Sequence, residues 1–360
     1  MQAAILERFG EPLVVEEVEV ATVGPDEVLI DVAACGVCHT DRTLQLGAQP
    51  LPVPFLLGHE AAGVVAEVGS AVVGIAPGDH VVTCGSAFCG VCQWCMRGLL
   101  QHCEAKGRER PAGQPPRLAL RGTGVGACVG LGGFATRLLV HERAVTRIPA
   151  EMPLDLAALL GCAVLTGIGA VRHRAQVQTG ETVAVIGCGG VGLNAIQGAR
   201  LAGAAQIIAV ELLAAKLDRA RVFGATDVVD ASAGDPVAAV RDLTGGGVDH
   251  ALEVVGRPAT IEQAFAMART YGTATVVGVT RPNEMVSVPA SEFMLEKRLQ
   301  GSKLGSSAFR LDIPLYCRLY LDGRLLLDEL ISHRIGLDGV NDALTELDGT
   351  DAARSVITFA

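Results

Sequence analysis

The middle of the chain carries the most regular hydrophobic patterning. Short apolar runs at 182–187, 206–211, 226–229, 248–254 and 273–279 have the length and the Val/Ile content of strands buried on both faces. Between them, 190–203, 214–223, 236–243 and 259–269 read as helices, the second of them stopped by Gly224. Strand alternating with helix predicts a doubly wound α/β unit, a parallel sheet with helices on both faces. The first 155 or so residues follow another pattern. Short strand-like runs at 27–32, 62–68 and 79–83, with turn signals at Gly24–Pro25 and Pro77–Gly78, predict a β-rich domain. The last 50 or so residues predict one or two helices and a final strand at 355–359. The chain has no internal repeat and no low-complexity tract.

Composition narrows the function classes. The chain has 360 residues, half of them hydrophobic, which suits two domains and a sizeable core. Aromatics make up only 4%, so that core is built from Val, Leu, Ile and Ala. The net charge of −10 argues against nucleic acid or an anionic membrane as partner. The apolar, uncharged stretch at 156–171 is interrupted by Gly161, Gly167 and Gly169 and falls short of the ~20 residues of a membrane span. The N-terminus meets charge at Glu7 and Arg8 without an apolar run, so the expected location is cytoplasmic. An odd number of cysteines, 11, with no secretion signal argues against a disulfide framework.

Two local motifs carry chemistry by themselves. Gly187-x-Gly189-x-x-Gly192 follows a strand and opens a helix, the context in which glycines let a backbone approach a pyrophosphate and a helix N-terminus stabilises its charge. The alternative is a Gly-rich turn that binds nothing. The next strand ends at Glu211, where a carboxylate accepts from ribose hydroxyls and repels a 2′-phosphate, favouring NAD over NADP. Lys216 is placed to reach the same ribose or to be a surface lysine. The second motif is Cys89-x-x-Cys92-x-x-Cys95-x7-Cys103. Four thiolates close a tetrahedral zinc site of the structural kind. The rival, an iron–sulfur cluster, has a shorter last gap and a Pro after the fourth Cys, whereas Glu104 follows here. A zinc-finger nucleic-acid binder would need a dense basic face that this region lacks.

Three further features do not assemble themselves: Cys35-Gly-Val-Cys38-His39-Thr40-Asp41, Gly58-His59-Glu60 and Gly161-Cys162. Cys35 and Cys38 fit a redox pair or two buried thiols, His59 a core histidine, and Cys162 a small hydrophobe.

Over essentially its full length, however, the chain resembles the zinc-containing medium-chain alcohol dehydrogenases. The matching landmarks are GVCHTD at 36–41, GHE at 58–60, the four-cysteine lobe, GC at 161–162 and GCGGVG at 187–192. The resemblance implies a six-stranded Rossmann sheet in an NAD-binding domain at 164–303. It implies a GroES-like catalytic domain from 1–163 and 304–360, with a structural-zinc lobe at about 84–110. It implies two zinc ions per subunit and NAD(H). Cys38, His59 and Cys162 would hold the catalytic zinc and leave a fourth position for water or substrate. Glu60 would lie beside the metal and bind it transiently, and Asp41 would orient His59. Thr40 would take the alcohol proton. Gly190 would join the phosphate loop, Val191 would pack behind the nicotinamide, and Val279 and Arg354 would contact the cofactor, Arg354 at its phosphate. Cys35, Cys84, Cys128, Cys188 and Cys317 match no ligand position and read as structural.

The chain departs from the pattern at two positions. Thr43 stands where relatives often have a relaying histidine, so the proton route runs through its hydroxyl, water or another histidine. His39 stands where many relatives have an arginine on the pyrophosphate, and a neutral imidazole holds that group less firmly. Gly85 falls where small-alcohol enzymes carry a bulky aromatic. The implied extra volume points to a primary alcohol larger than ethanol: aryl, allylic or terpenoid. The alternatives are a thiol-adduct formaldehyde dehydrogenase or a polyol dehydrogenase of the same fold and, more distantly, a non-catalytic NAD- or zinc-binding protein. The long connection at 105–133 resembles that of dimeric relatives and implies a homodimer paired through the last sheet strand near 299–303.

Overall fold

The computed structural model describes residues 1–49, 51–104, 109–111, 113–349 and 353–359. The chain divides into two compact units, Met1–Cys162 with Ala308–Ala360, and Ala163–Ser307. The second division falls four residues later than the sequence suggests. Residues 304–307 stay with the second unit because the Ser307 hydroxyl donates to the Leu165 carbonyl. Gly305 also lies so close that a Cβ on it would sit 2.7 Å from the Thr166 carbonyl oxygen.

The second unit holds a six-stranded sheet in the order Asp227–Asp230, Gln206–Glu211, Thr182–Ile186, Val248–Glu253, Ala268–Val276, Arg298–Gly301. Every neighbouring pair is parallel. The order reverses between Thr182–Ile186 and Val248–Glu253, the topological switch point at which such sheets bind ligands outside their C-terminal ends. The sheet core is mainly aliphatic, with Ala184, Ile186, Ile208, Val210 and Ala251 buried together with Phe265. Local signals set the helix limits. Asp235 caps Pro236–Thr244 by accepting from the Val237 N–H at 2.9 Å, and Pro236 and Pro258 occupy first-turn positions where no N–H is needed. Gly203, Gly224 and Gly245 close three helices in left-handed backbone. The strand expected at 273–279 runs instead from Ala268 to Val276. Its early start follows directly from helix Pro258–Met267, and its end is set by Val277 and Gly278, whose N–H groups donate to the Glu253 carbonyl at 2.8 and 3.1 Å.

The first unit is built on a seven-stranded sheet centred on Glu27–Gly36, which pairs antiparallel with Glu60–Val68 and with the final strand Arg354–Thr358. The strand starting at Glu27 continues past the expected residue 32 to Gly36 and so delivers Cys38 and the short helix His39–Gln45 beside Gly58–Glu60. The edge strand Ile331–Ile335 is not apparent in the sequence. Its residues are half-buried or, at His333 and Arg334, exposed, so it lacks a strong apolar signal. Among the described residues, no single helix is long and apolar enough to cross a membrane.

Of the connection at 105–133, residues 105–108 and 112 lie outside the described residues. The remainder is pinned to the sheet by Glu27, which accepts from Arg110 Nε at 2.9 Å, Arg117 Nε at 2.7 Å and the Gly24 N–H at 2.9 Å. Burial alone would raise the Glu27 pKa, but the Arg110 and Arg117 guanidinium groups and the Gly24 N–H hold it down to about 2. A depressed carboxylate pKa contributes stability above the unfolded value near 4.5 and loses it as pH falls toward the folded value. Glu27→Gln is therefore expected to lower stability by about 2 kcal/mol at pH 7. In urea melts followed from pH 7 to pH 3, the deficit should shrink below pH 4.5. A deficit that is constant over that range would count against the pairing.

Candidate metal and dinucleotide sites

The first unit gathers four buried side chains whose ligand atoms all lie within 4.8 Å of one another: Cys38, His59, Glu60 and Cys162. Each is fixed by its element. Cys38 ends the extended segment leading into helix His39–Gln45, and its N–H donates to Asp41 Oδ2 at 3.2 Å. Asp41, fully buried, also accepts from the Gly58 N–H at 2.9 Å and stands 3.2 Å from His59 Nδ1. One carboxylate therefore ties the helix start to the Gly58–Glu60 turn and turns the His59 Nε2 face toward the cysteines. Gly58, at φ +90, must be a glycine, because a Cβ there would meet the Phe134 backbone nitrogen at 2.5 Å. Gly36 leaves the space that the Glu60 carboxylate fills, and Gly161 lets the Cys162 turn pack on the Thr83 carbonyl.

The electrostatics of this cluster are those of a cation site. The Cys38 thiol is held well below its usual range, first by a hydrogen bond from Cys162 and then, against burial, by the Arg354 charge. Cys162 is pushed up by the same pairing and by burial. Burial would lower the His59 pKa, but the Asp41 carboxylate raises it. Glu60 is pushed up to about 7 by burial, with Arg354 opposing. Neither Glu60 oxygen accepts a well-formed hydrogen bond although both are buried; the Arg354 charge answers Oε1 from 3.2 Å, and Oε2 has no donor among the described residues, which is expensive unless a cation answers it. Two thiols, an imidazole and a carboxylate are the donor set of a catalytic zinc.

Cys89, Cys92, Cys95 and Cys103 form a second cluster. Three of their sulfur–sulfur distances are 3.6, 3.9 and 3.9 Å, against an edge of about 3.8 Å for a tetrahedron of sulfurs around zinc. Main-chain N–H groups already point at the thiols: Cys92 N and Val91 N at Cys89 Sγ, and Cys89 N at Cys103 Sγ. The N–H groups of Cys95 and Glu104 hold the Cys92 thiol down to about 6. The residues present fit a closed four-thiolate metal site.

In the second unit, Gly187 adopts φ +98, and a Cβ on Gly192 would collide with the Gly187 carbonyl. Gly189 has open space above it, which leaves the backbone at the N-terminus of helix Gly190–Ala202 approachable by a phosphate. Glu211 binds the loop: Oε2 accepts from the Cys188 N–H at 2.9 Å and Oε1 from the Leu212 N–H at 2.7 Å. A carboxylate has about four acceptor positions, so capacity for ribose hydroxyls remains. Val191 and Lys216 are half-buried and Val279 is exposed at the C-terminal end of the sheet.

Both units match known families. A model for an alcohol dehydrogenase GroES-like domain matches residues 24–150, and one for a zinc-binding dehydrogenase matches 190–318. An S-(hydroxymethyl)glutathione dehydrogenase of Escherichia coli O139:H28 is 36% identical over 99% of both chains. The benzyl alcohol dehydrogenase of Acinetobacter calcoaceticus superposes with a TM-score of 0.94 at 30% identity, covering 100% of this chain and 99% of that one. The chain belongs to the zinc-containing medium-chain alcohol dehydrogenase family. It is a zinc-dependent, NAD-linked oxidoreductase. A putative zinc-binding dehydrogenase of Sinorhizobium meliloti, solved with NADP, is similar at 32% identity and a TM-score of 0.84 over 99% of both chains.

The structure bears on three sequence expectations for the dehydrogenase. Arg354 is not a surface arginine. Only 5% exposed, it donates to the Val37 carbonyl at 3.0 Å and pairs with Glu60 at 3.2 Å, because strand Arg354–Thr358 docks on the end of Glu27–Gly36. Gly85 leaves no void, since a Cβ there would lie 2.7 Å from Val129 Cγ2. Val129, held in left-handed backbone at φ 46, occupies the space that the glycine vacates. Thr43 is exposed, and its hydroxyl donates to the His39 carbonyl at 2.8 Å, so its own proton is engaged along the helix. His39 and Thr40 are exposed at the helix start. Cys35, Cys84, Cys128, Cys188 and Cys317 are all buried, and Cys128 Sγ lies 4.0 Å from His59 Nδ1. Sequence reading missed Val129 and the Glu60 pairing of Arg354, for which no local pattern exists.

Proposed function

We propose that this dehydrogenase carries out reversible hydride transfer between NAD and a primary alcohol larger than ethanol, of aryl, allylic or terpenoid type. The observation that carries the reaction class is the buried cluster of Cys38, His59, Glu60 and Cys162, with its depressed Cys38 thiol. Cys38, His59 and Cys162 would hold the catalytic zinc, which when bound supplies Lewis-acid stabilisation of negative charge on the substrate oxygen. Asp41 keeps the His59 ring oriented and its Nδ1 occupied. Arg354 balances Glu60 and so keeps a net negative charge from building up around the thiolates. The Thr40 hydroxyl accepts the alcohol proton. Onward transfer runs through water at the exposed helix start, because the Thr43 hydroxyl is turned to the His39 carbonyl. Gly187, Gly189, Gly190 and Gly192 cradle the pyrophosphate, and Glu211 accepts from the adenosine ribose.

Substrate size rests on the full-length similarity to a benzyl alcohol dehydrogenase, since Val129 fills the space beside Gly85. The competing reading, oxidation of a thiol adduct of formaldehyde, is favoured by the 36% identity to an S-(hydroxymethyl)glutathione dehydrogenase. An NADH assay across ethanol, benzyl alcohol, geraniol, and formaldehyde with and without glutathione separates them. Benzyl alcohol or geraniol is expected to exceed ethanol in kcat/KM by about tenfold or more, the discrimination a few buried methylenes supply. Glutathione-dependent formaldehyde oxidation as the fastest reaction would instead establish the second reading. For assembly, a homodimer joined through the edge strand Arg298–Gly301 fits the exposed Met285, Phe293, Met294 and Leu295 of the same unit.

A further inference from the structure

Glu253 ends strand Val248–Glu253 and is completely buried in the second unit. Its Oε1 accepts three hydrogen bonds, from the Val255 N–H at 2.8 Å, the Gly256 N–H at 2.7 Å and the Thr260 hydroxyl at 2.7 Å. Its Oε2 has no donor among the described residues. A buried carboxylate with one unanswered oxygen destabilises the fold, so its presence points to what the other oxygen organises.

That organisation reaches two loops at once. The side chain fixes the 254–256 turn and the first turn of helix Pro258–Met267. Its main-chain carbonyl accepts from the Val277 and Gly278 N–H groups, which turns the chain out of strand Ala268–Val276. The two loops are in direct backbone contact. A Cβ on Gly256 would lie 2.7 Å from the Val279 carbonyl carbon, and one on Gly278 would lie 2.6 Å from Gly256 Cα. The same turn touches the glycine loop, since a Cβ on Gly187 would meet Val255 Cγ2 at 2.7 Å. Val255 and Val279 are themselves exposed, so the interlocked loops present their side chains outward.

The topology says which half of a dinucleotide these loops face. Glu211 marks the adenosine half, on the Thr182–Ile186 side of the switch point. The loops after Val248–Glu253 and Ala268–Val276 lie on the other side, over the second mononucleotide-binding half. We propose that Glu253 is a positioning residue for the nicotinamide end of the cofactor, acting through the interlocked 254–256 and 277–279 loops and not by contact. This rests on the reading of Gly187–Gly192 as the dinucleotide site.

The test compares NADH with ADP-ribose, which carries the adenosine and pyrophosphate but no nicotinamide. Binding is measured by fluorescence for NADH and by calorimetry for ADP-ribose, on the zinc-replete protein. Glu253→Ala is expected to raise the NADH Kd by about tenfold, the effect of losing the hydrogen bonds that hold a loop, and to leave the ADP-ribose Kd within about twofold. Glu253→Gln keeps an acceptor in place of Oε1 and should bring the NADH Kd back to within about threefold of the parent. Equal loss of both ligands, or no loss of NADH affinity, overturns the proposal. If Glu253→Ala does not fold, Thr260→Val removes one of the three donors. It is then expected to weaken NADH alone by about threefold, and an unchanged NADH Kd overturns the proposal equally. Failure of the unaltered protein to bind ADP-ribose would instead refute the dinucleotide site itself.

Discussion

Cys162→Ser is expected to abolish alcohol oxidation and to remove one zinc ion from each subunit while leaving the other. The drop in kcat/KM should be about 10^3-fold or more, the equivalent of several kcal/mol of charge stabilisation on the substrate oxygen. The reason lies in the cluster geometry. Cys38, His59, Glu60 and Cys162 converge within 4.8 Å, and of these only the two cysteines bring soft anionic donors. A serine hydroxyl in place of Cys162 is a poor zinc ligand and removes the thiol partner that holds Cys38 down. The four-cysteine lobe shares no ligand with this cluster, so its metal should survive, and the loss should be one equivalent and not two. Metal analysis by mass spectrometry on the same sample as the NADH assay decides the matter. A variant that keeps two equivalents of zinc and full turnover would refute the ligand assignment. Glu60→Gln is the companion variant. It leaves three ligands but an unbalanced Arg354, so zinc should be kept and kcat should fall less than in Cys162→Ser.

How much of this could be read from the chain depended on whether the determining contacts are local. The glycine loop was legible because its constraint lies within six residues: Gly187 needs left-handed backbone, and Gly192 must let the Gly187 carbonyl pass. The four-cysteine lobe was legible because its ligands fall within one short loop. The grouping of Cys38, His59, Glu60 and Cys162 was not, since Cys38 and Cys162 are separated by 124 positions and meet only after the sheet forms; family resemblance supplied what spacing could not. The surroundings of Arg354 and Gly85 were hidden for the same reason. Arg354 reaches Glu60 only because the last strand docks beside Gly36. A glycine at 85 says nothing about Val129, 44 positions on, whose left-handed backbone folds its side chain over the gap. Left-handed backbone is unfavourable for a β-branched residue, so no propensity argument would have placed it there. Glu253 was likewise invisible, because a Glu at the end of an apolar run reads as a solvated strand end and is in fact buried.

Cys103→Ser should unfold the four-cysteine lobe, and the single tryptophan of the chain should report it. Trp94 sits between Cys92 and Cys95. Its Nε1 donates to Glu104 at 2.6 Å, His102 packs against its ring at 5.9 Å and Arg97 lies over it at 5.6 Å. None of these contacts is held by a core: helix Gln93–Met96 buries no residue, and Val91 and Met96 are largely exposed. With so little apolar burial, metal–thiolate bonds are the main term holding the lobe, and structural zinc sites contribute on the order of 10 kcal/mol of folding free energy. Losing one of four thiolates should therefore lower Tm by about 10 °C or more and shift Trp94 emission to the red as the ring becomes hydrated. Zinc content should fall by one equivalent, the complement of the Cys162→Ser result. The pair of variants also separates the two metals by spectroscopy. Cys162→Ser should leave Trp94 emission unchanged, because no residue around Trp94 belongs to the Cys38–His59–Cys162 cluster, whereas Cys103→Ser should move it. Identical emission and Tm in a Cys103→Ser protein that has lost a zinc ion would mean that the lobe folds on its packing alone, against the exposure of its side chains.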